Sequence, residues 1–167
     1  MPIGKRPAPG FTLIELMVVV AIVALLAIAA GPSMRELITS SRLRGASSDF
    51  YAALLAARSQ AITRRANAVV EPVGETWNTG WTVKVGTQVF LQVDPLPGDV
   101  AVQVNETDDA TAAITYAMNG RVSSDSQTNI IFYNASLPLQ ARCVGIDPSG
   151  LPRMRADTNR VGTDGCN

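Results

Sequence analysis

The feature that most constrains this chain is an apolar stretch from Phe11 to Gly31, in which Glu15 is the only charged residue. Folded as a helix, the stretch would be about 31 Å long, which matches the hydrocarbon core of a bilayer. An acidic side chain inside that core costs about 2.5–3.5 kcal/mol on insertion scales, so it is expected to have a functional partner. The stretch therefore predicts a membrane-spanning helix that carries a functional carboxylate.

A secretory signal and a plain membrane anchor are two other interpretations of the same stretch. A signal would place basic residues before an uninterrupted apolar run and a small-residue cleavage site after it, and the residues around Ala30 could supply that site. Glu15 argues against a signal because it lies at the start of the apolar run rather than outside it. It argues against a plain anchor because an anchor gains nothing from a costly carboxylate.

The partner of Glu15 can be inferred from the chemistry of a cleaved N-terminus. If a peptidase cuts after Gly10, the new amine of Phe11 is a positive charge in an apolar environment. An opposite charge makes that burial much less costly. Glu15 lies four residues further on the same helix face, so it can reach the amine of its own chain, but the direction of its side chain strains that pair. A pair with the amine of a staggered neighbouring chain avoids this strain. Glu15 would then set the register between assembled subunits.

The composition argues against catalysis. Net charge is zero and histidine is absent, which excludes Ser-His-Asp and Cys-His triads and His-ligated zinc. The sequence contains no phosphate-binding loop and no nucleophile–base pair, and no calcium-loop spacing surrounds Asp108 and Asp109. We expect a protein that is not an enzyme and that takes no cofactor, metal ion or small-molecule substrate.

The flanking charges predict the orientation of the span. Lys5 and Arg6 precede it, whereas Arg35 and Glu36 nearly cancel after it. The positive-inside rule therefore leaves the N-terminus cytoplasmic and exports the remainder.

The two cysteines, Cys143 and Cys166, would be two unrelated thiols in the cytosol, but an exported domain favours a disulfide between them. Such a bridge would contribute about 3 kcal/mol in the chain-entropy model.

The helix is expected to continue beyond the membrane as an amphipathic segment over residues 33–70. Pro32 should kink or loosen it, and Ser33 with Glu36 forms a capping-box pattern that would restart it. Apolar residues then recur at roughly helical spacing: Met34, Leu37, Ile38, Phe50, Leu54, Ala57 and Ala61. The arginines on or near the other face are interpreted as a solvated helix surface.

Residues 71–167 are predicted to form a mostly antiparallel sheet that covers the apolar stripe of the helix, giving an α+β domain. Two alternating segments, 80–85 and 88–93, flank the turn at Gly86 and predict a hairpin. Further strands are expected at 100–104, 113–117, 130–133 and 139–144, separated by proline and glycine turns.

The N-terminal motif resembles the class III leader and first helix of type IV pilins and type II secretion pseudopilins. Its elements are Gly10, Phe11 and Glu15, with basic residues before them and Pro32 after the apolar run. The resemblance implies a leader peptide over residues 1–10 and a transmembrane assembly helix over residues 11–32. It also implies cleavage between Gly10 and Phe11 by a prepilin peptidase, N-methylation of Phe11 and a register role for Glu15.

Two internal stretches narrow the resemblance to the GspH/FimT group of minor pilins and pseudopilins. They are residues 56–62 at the end of the helix and residues 77–81, which contain Trp77 and Trp81. The tryptophans are also expected to pack at the junction of helix and sheet. The resemblance implies storage in the bacterial inner membrane, assembly into a pilus, and the major pilin and other minor pilins as partners.

Members of the group differ in function, so alternatives stay open beside the minor pilin. One is a minor pseudopilin of a type II secretion system, although the late cysteine pair favours the pilus members. The other is a DNA-binding minor pilin for natural transformation, which would use Arg153, Arg155 and Arg160 to bind phosphates. We favour the interpretation that these arginines lie in a solvated loop held by the disulfide.

Overall fold

The structure is a computed structural model that describes residues 10–105, 113–123, 129–137 and 139–157, except for the side chains of 28–30, 32 and 105. The chain divides into two compact units, Met1–Arg35 and Glu36–Asn167. The long helix α1 spans Leu13–Arg64, so the boundary between the units falls within it.

The helix α1 is continuous through Gly31 and Pro32. The predicted restart of the helix at Ser33 is therefore wrong. A proline inside a helix removes one backbone hydrogen bond, and the remaining bonds of the turn can maintain the helix across it. The kink at Pro32 stays a prediction.

The helix ends earlier than the sequence predicted. Arg65 adopts a left-handed conformation with φ 53°, and the N–H of Ala66 donates to the carbonyl of Ala61 at 3.2 Å. This geometry closes the last turn. The first strand, β1, then begins at Ala68, within the segment that the sequence analysis assigned to the helix.

Eight described strands follow α1, with a short 3₁₀ helix at Trp77–Thr79. The strands are β1 (Ala68–Pro72), β2 (Trp81–Val85), β3 (Gln88–Val93), β4 (Ala101–Asn105), β5 (Ile114–Tyr116), β6 (Asn129–Tyr133), β7 (Arg142–Ile146) and β8 (Pro152–Ala156). They form two four-stranded antiparallel sheets, in the orders β3-β2-β1-β5 and β4-β6-β7-β8. The α+β class is confirmed, although two sheets replace the single sheet that was expected.

The core forms between the C-terminal part of α1 and the sheets. Phe50 is fully buried and makes edge-on contacts with Trp77 and Trp81, with ring centroids 5.4 and 5.2 Å apart. The predicted packing of both tryptophans is therefore confirmed. The predicted apolar stripe is only partly buried. Its residues from Phe50 onward are fully buried, but Leu37 and Ile38 are exposed.

The turn between β7 and β8 packs against the turn that follows β5. Gly150 has φ +81°, and a Cβ on it would lie 2.0 Å from the carbonyl oxygen of Gly120. The same oxygen accepts a hydrogen bond from Nε of Arg58 on α1 at 3.1 Å. Gly150 therefore allows a close backbone approach that ties both turns to the helix.

Gly150→Ala is expected to destabilise the domain by about 2–3 kcal/mol, because the alanine is strained at positive φ and its methyl group clashes with backbone. Denaturant titration followed by tryptophan fluorescence measures the change. The matched control is Gly45→Ala within α1, where a Cβ meets nothing within 4 Å and stability should rise by about 0.5–1 kcal/mol. Equal effects of the two substitutions would contradict the close approach at Gly150.

Candidate assembly segment

The predicted cleavage site lies immediately before the helix. Gly10 and Phe11 precede α1, and the Phe11 side chain is 84% exposed. The rest of the predicted leader, including Lys5 and Arg6, lies outside the described residues. An exposed, non-helical peptide bond between Gly10 and Phe11 is the geometry that a peptidase needs. Cleavage and methylation at this bond stay predictions.

Thr12 caps the start of α1. Its carbonyl accepts from the N–H of Leu16 at 3.2 Å, and its Oγ1 accepts from the N–H of Glu15 at 3.3 Å. Threonine at the cap with glutamate three residues later is the capping-box sequence, so the pattern could have been recognised in the sequence. Glu15 also lies in the first turn, where a negative charge interacts favourably with the helix dipole. A second, local role for Glu15 therefore accompanies its proposed register role.

The N-terminal part of α1 exposes apolar side chains on every face. All the large apolar residues described between Leu13 and Leu26 have 50–76% of their surface exposed. Such a surface requires lipid or other apolar helices to cover it. Within the part of the chain that the structure describes, no helical segment meets the length and hydropathy expected of a membrane span.

Asp99 links the described globular strands to α1. Its carboxylate accepts hydrogen bonds from Oγ1 of Thr39 and from the guanidinium of Arg42, both at 2.9 Å, and its carbonyl accepts from the side-chain amide of Asn134. Partial burial raises the pKa of Asp99, but the bonds from Thr39 and Arg42 outweigh it and hold that pKa below its usual value of 3.8. Arg42 is one of the arginines predicted to lie on a solvated helix surface; its side chain is 49% exposed, and it also pairs with Asp99.

Asp99→Asn should lower the free energy of unfolding by about 1–2 kcal/mol at pH 7, because an ionised acceptor is lost. The folded pKa is depressed, so the stabilisation is present above the unfolded pKa of about 3.9 and is lost as pH falls through the lower folded value. Denaturant titrations at pH 7 and pH 2.5 should show the gap between wild type and variant closing in acid. A gap that is the same at both values would contradict the role of the carboxylate.

The predicted disulfide and DNA-binding residues lie on or beyond the second sheet. Cys143, on β7, is disulfide-bonded, whereas Cys166 lies outside the described residues, so their pairing stays a prediction. Arg153 and Arg155 lie on the strand β8 rather than in the predicted loop, and Nε of Arg153 pairs with Asp147 at 2.6 Å. Their strand was missed because a short edge strand with alternating charges has no apolar period to detect.

The alternative in which Arg153, Arg155 and Arg160 bind phosphates stays open, because Arg160 lies outside the described residues, although Arg153 is already paired with Asp147. The described residues hold no group of three or more metal-ligating side chains.

A capped N-terminal helix with an exposed apolar surface, joined to antiparallel sheets, defines the class of type IV pilin-like subunits, which are structural proteins. Residues 5–31 match the prokaryotic N-terminal methylation motif, and residues 46–150 match the family described as type II transport protein GspH. The chain belongs to the GspH family. This membership implies N-terminal processing, membrane anchoring and assembly with other pilin-like subunits.

Solved structures of the same fold come from two bacterial systems. The type IV minor pilin FimU of Pseudomonas aeruginosa matches with a TM-score of 0.60 and 16% identity, over 76% of this chain and 96% of that chain. The minor pseudopilin EpsH of the Vibrio cholerae type 2 secretion system matches with a TM-score of 0.56 and 16% identity, over 69% of this chain and 97% of that chain. A comparison with curated proteins gave no significant match.

Proposed function

We propose that this chain is a minor type IV pilin, a structural subunit that enters the pilus and supports its assembly. It is stored in the inner membrane as a single-pass protein with a cytoplasmic N-terminus and a periplasmic domain. A prepilin peptidase removes residues 1–10 and methylates Phe11. The mature subunit then joins the major pilin and other minor pilins.

The observation that carries this proposal is the N-terminal segment, in which the methylation motif leads directly into an apolar helix with Glu15 in its first turn. A secreted enzyme or a plain anchor has no use for this combination. The disulfide at Cys143 supports export, and the late cysteine pair supports a pilus rather than a secretion pseudopilus.

The proposal is tested by shearing filaments from cells that express the tagged full-length chain. We expect the chain in the pilus fraction, and we expect it to disappear from that fraction when the major pilin is deleted. Deletion of the major secretion pseudopilin serves as the matched control and should have no effect. Dependence on the pseudopilin instead of the pilin would assign the chain to a secretion system.

A further inference from the structure

A groove of about 560 Å³ lies between the middle of α1 and the end of β3. On the helix side, five residues at helical spacing line it, and three of the five have small side chains: Arg42, Gly45, Ala46, Asp49 and Ala52. On the sheet side, the wall is formed by the last residues of β3 and the segment up to Pro97. The groove is therefore open, shallow on its helix side and bordered by a strand.

That strand is the edge of its sheet. The N–H of Val73 donates to the carbonyl of Gly80 at 3.0 Å. Gly80 therefore faces β1, and every second residue after it in β2 does the same, while the residues between them face β3. By the alternation of an antiparallel ladder, Leu91 and Val93 direct their backbone groups at β2, and Gln92 directs its N–H and C=O away from it. No strand pairs with this outer side of β3 within the described ranges.

The two halves of this edge differ in their contacts among the described residues. Side chains of the first half contact Arg64 from the end of α1, whose guanidinium lies 4.2 Å from the ring centroid of Phe90 and donates to the side chain of Gln88 at 3.2 Å. Long charged side chains are a common means of protecting a sheet edge. The second half, around Gln92, is the part that borders the groove.

The groove is acidic. Asp49 and Asp94 line it, both are exposed, and neither has an ion pair among the described residues. The lining cation in the described part of the chain, Arg42, is already paired with Asp99 at 2.9 Å. An occupant that complements this surface must bring positive charge.

We propose that the groove docks an extended segment, bearing lysine or arginine, from a neighbouring pilin subunit of different sequence. The segment adds to β3 as a further strand through the backbone of Gln92, and its basic side chain meets Asp49 and Asp94. Strand addition obtains affinity from the main-chain bonds and specificity from the side chains that alternate along the strand. This inference rests on the proposed function, because a minor subunit has other pilins as its neighbours.

Photo-crosslinking in cells tests the docking. A benzophenone amino acid at position 92 of the full-length chain should give an adduct with one other pilin subunit, identified by mass spectrometry. The control position is Glu75, which is exposed and outside the groove. An adduct yield at position 92 no higher than at position 75, or an adduct with a second copy of this chain, would overturn the proposal.

Two further pairs of variants test the charge and the strand addition separately. With the probe at position 92, Asp49→Lys should lower the adduct yield at least fivefold, whereas Glu75→Lys should change it less than twofold. With the probe at Pro95, Gln92→Pro should lower the yield at least fivefold, because proline lacks the outward N–H yet keeps the ladder to β2. Gln92→Ala retains the N–H and should therefore leave the adduct yield unchanged. Equal yields within either pair would contradict that part of the proposal.

The amount of the chain in the filament fraction distinguishes failure of the proposed function from failure of the docking proposal. If the wild-type chain is absent from sheared filaments, the proposed function fails. If the wild-type chain and the probe variants enter filaments but position 92 gives no specific adduct, only the docking proposal fails.

Discussion

Replacing Glu15 by alanine is expected to reduce incorporation of the chain into filaments about 100-fold or more. In the proposed filament, the Glu15 carboxylate pairs with the Phe11 amine of a neighbouring subunit in an apolar environment. Removing one partner of a buried ion pair costs about 3–5 kcal/mol, because the other charge stays buried without compensation. Each 1.4 kcal/mol corresponds to a factor of about ten, so the expected loss exceeds two orders of magnitude.

Membrane insertion and leader cleavage should persist in Glu15→Ala, and insertion should become easier as a charge leaves the bilayer. Quantitative immunoblots of membrane and sheared fractions measure the two steps separately. Glu36→Ala is the matched control, because Glu36 is an exposed glutamate in the same helix outside the apolar segment. Incorporation of Glu15→Ala within threefold of wild type would show that the carboxylate does not set the register.

Phe50→Ala is expected to destabilise the globular unit by about 3–5 kcal/mol, a large fraction of the 5–15 kcal/mol that usually separates folded from unfolded domains. Phe50 is fully buried and contacts Trp77, Trp81 and Phe132, with its ring centroid 5.8 Å from that of Phe132. Truncation to alanine would remove the centre of this aromatic cluster and leave a cavity.

Denaturant titration of the purified chain, followed by the fluorescence of its tryptophans, measures this loss. Leu55→Ala is the control on the same helix, since Leu55 is 39% exposed and its truncation should cost less than about 1 kcal/mol. A loss for Phe50→Ala no larger than the loss for Leu55→Ala would contradict its central place in the core.

The elements that the sequence predicted well are each specified by residues that lie close together in the sequence. The hairpin of β2 and β3 was predicted because two alternating segments flank a short turn at Gly86, which has φ +59°. The N-terminal part of α1 was predicted because a long apolar run admits few alternatives. In both cases, the conformational preference of each residue agrees with the secondary structure that its neighbours form.

The elements that were missed depend on contacts distant in sequence. β1 was assigned to the helix because no proline or glycine separates it from α1, and only the left-handed Arg65 and the pairing with β2 and β5 end the helix there. The bond between Thr39 and Asp99 joins residues 60 positions apart, so no window of sequence contains it. The groove between α1 and the end of β3 likewise forms only after folding brings these two elements together.

The mass of the mature chain recovered from filaments shows directly whether this chain is a processed pilin subunit. We expect residues 1–10 to be absent, the chain to begin at Phe11, and its N-terminus to carry one added methyl group. Fragmentation spectra of the N-terminal peptide locate both changes. An intact N-terminus, or a cut near Ala30 as in a secretory signal, would contradict the assignment of the chain as a processed pilin subunit.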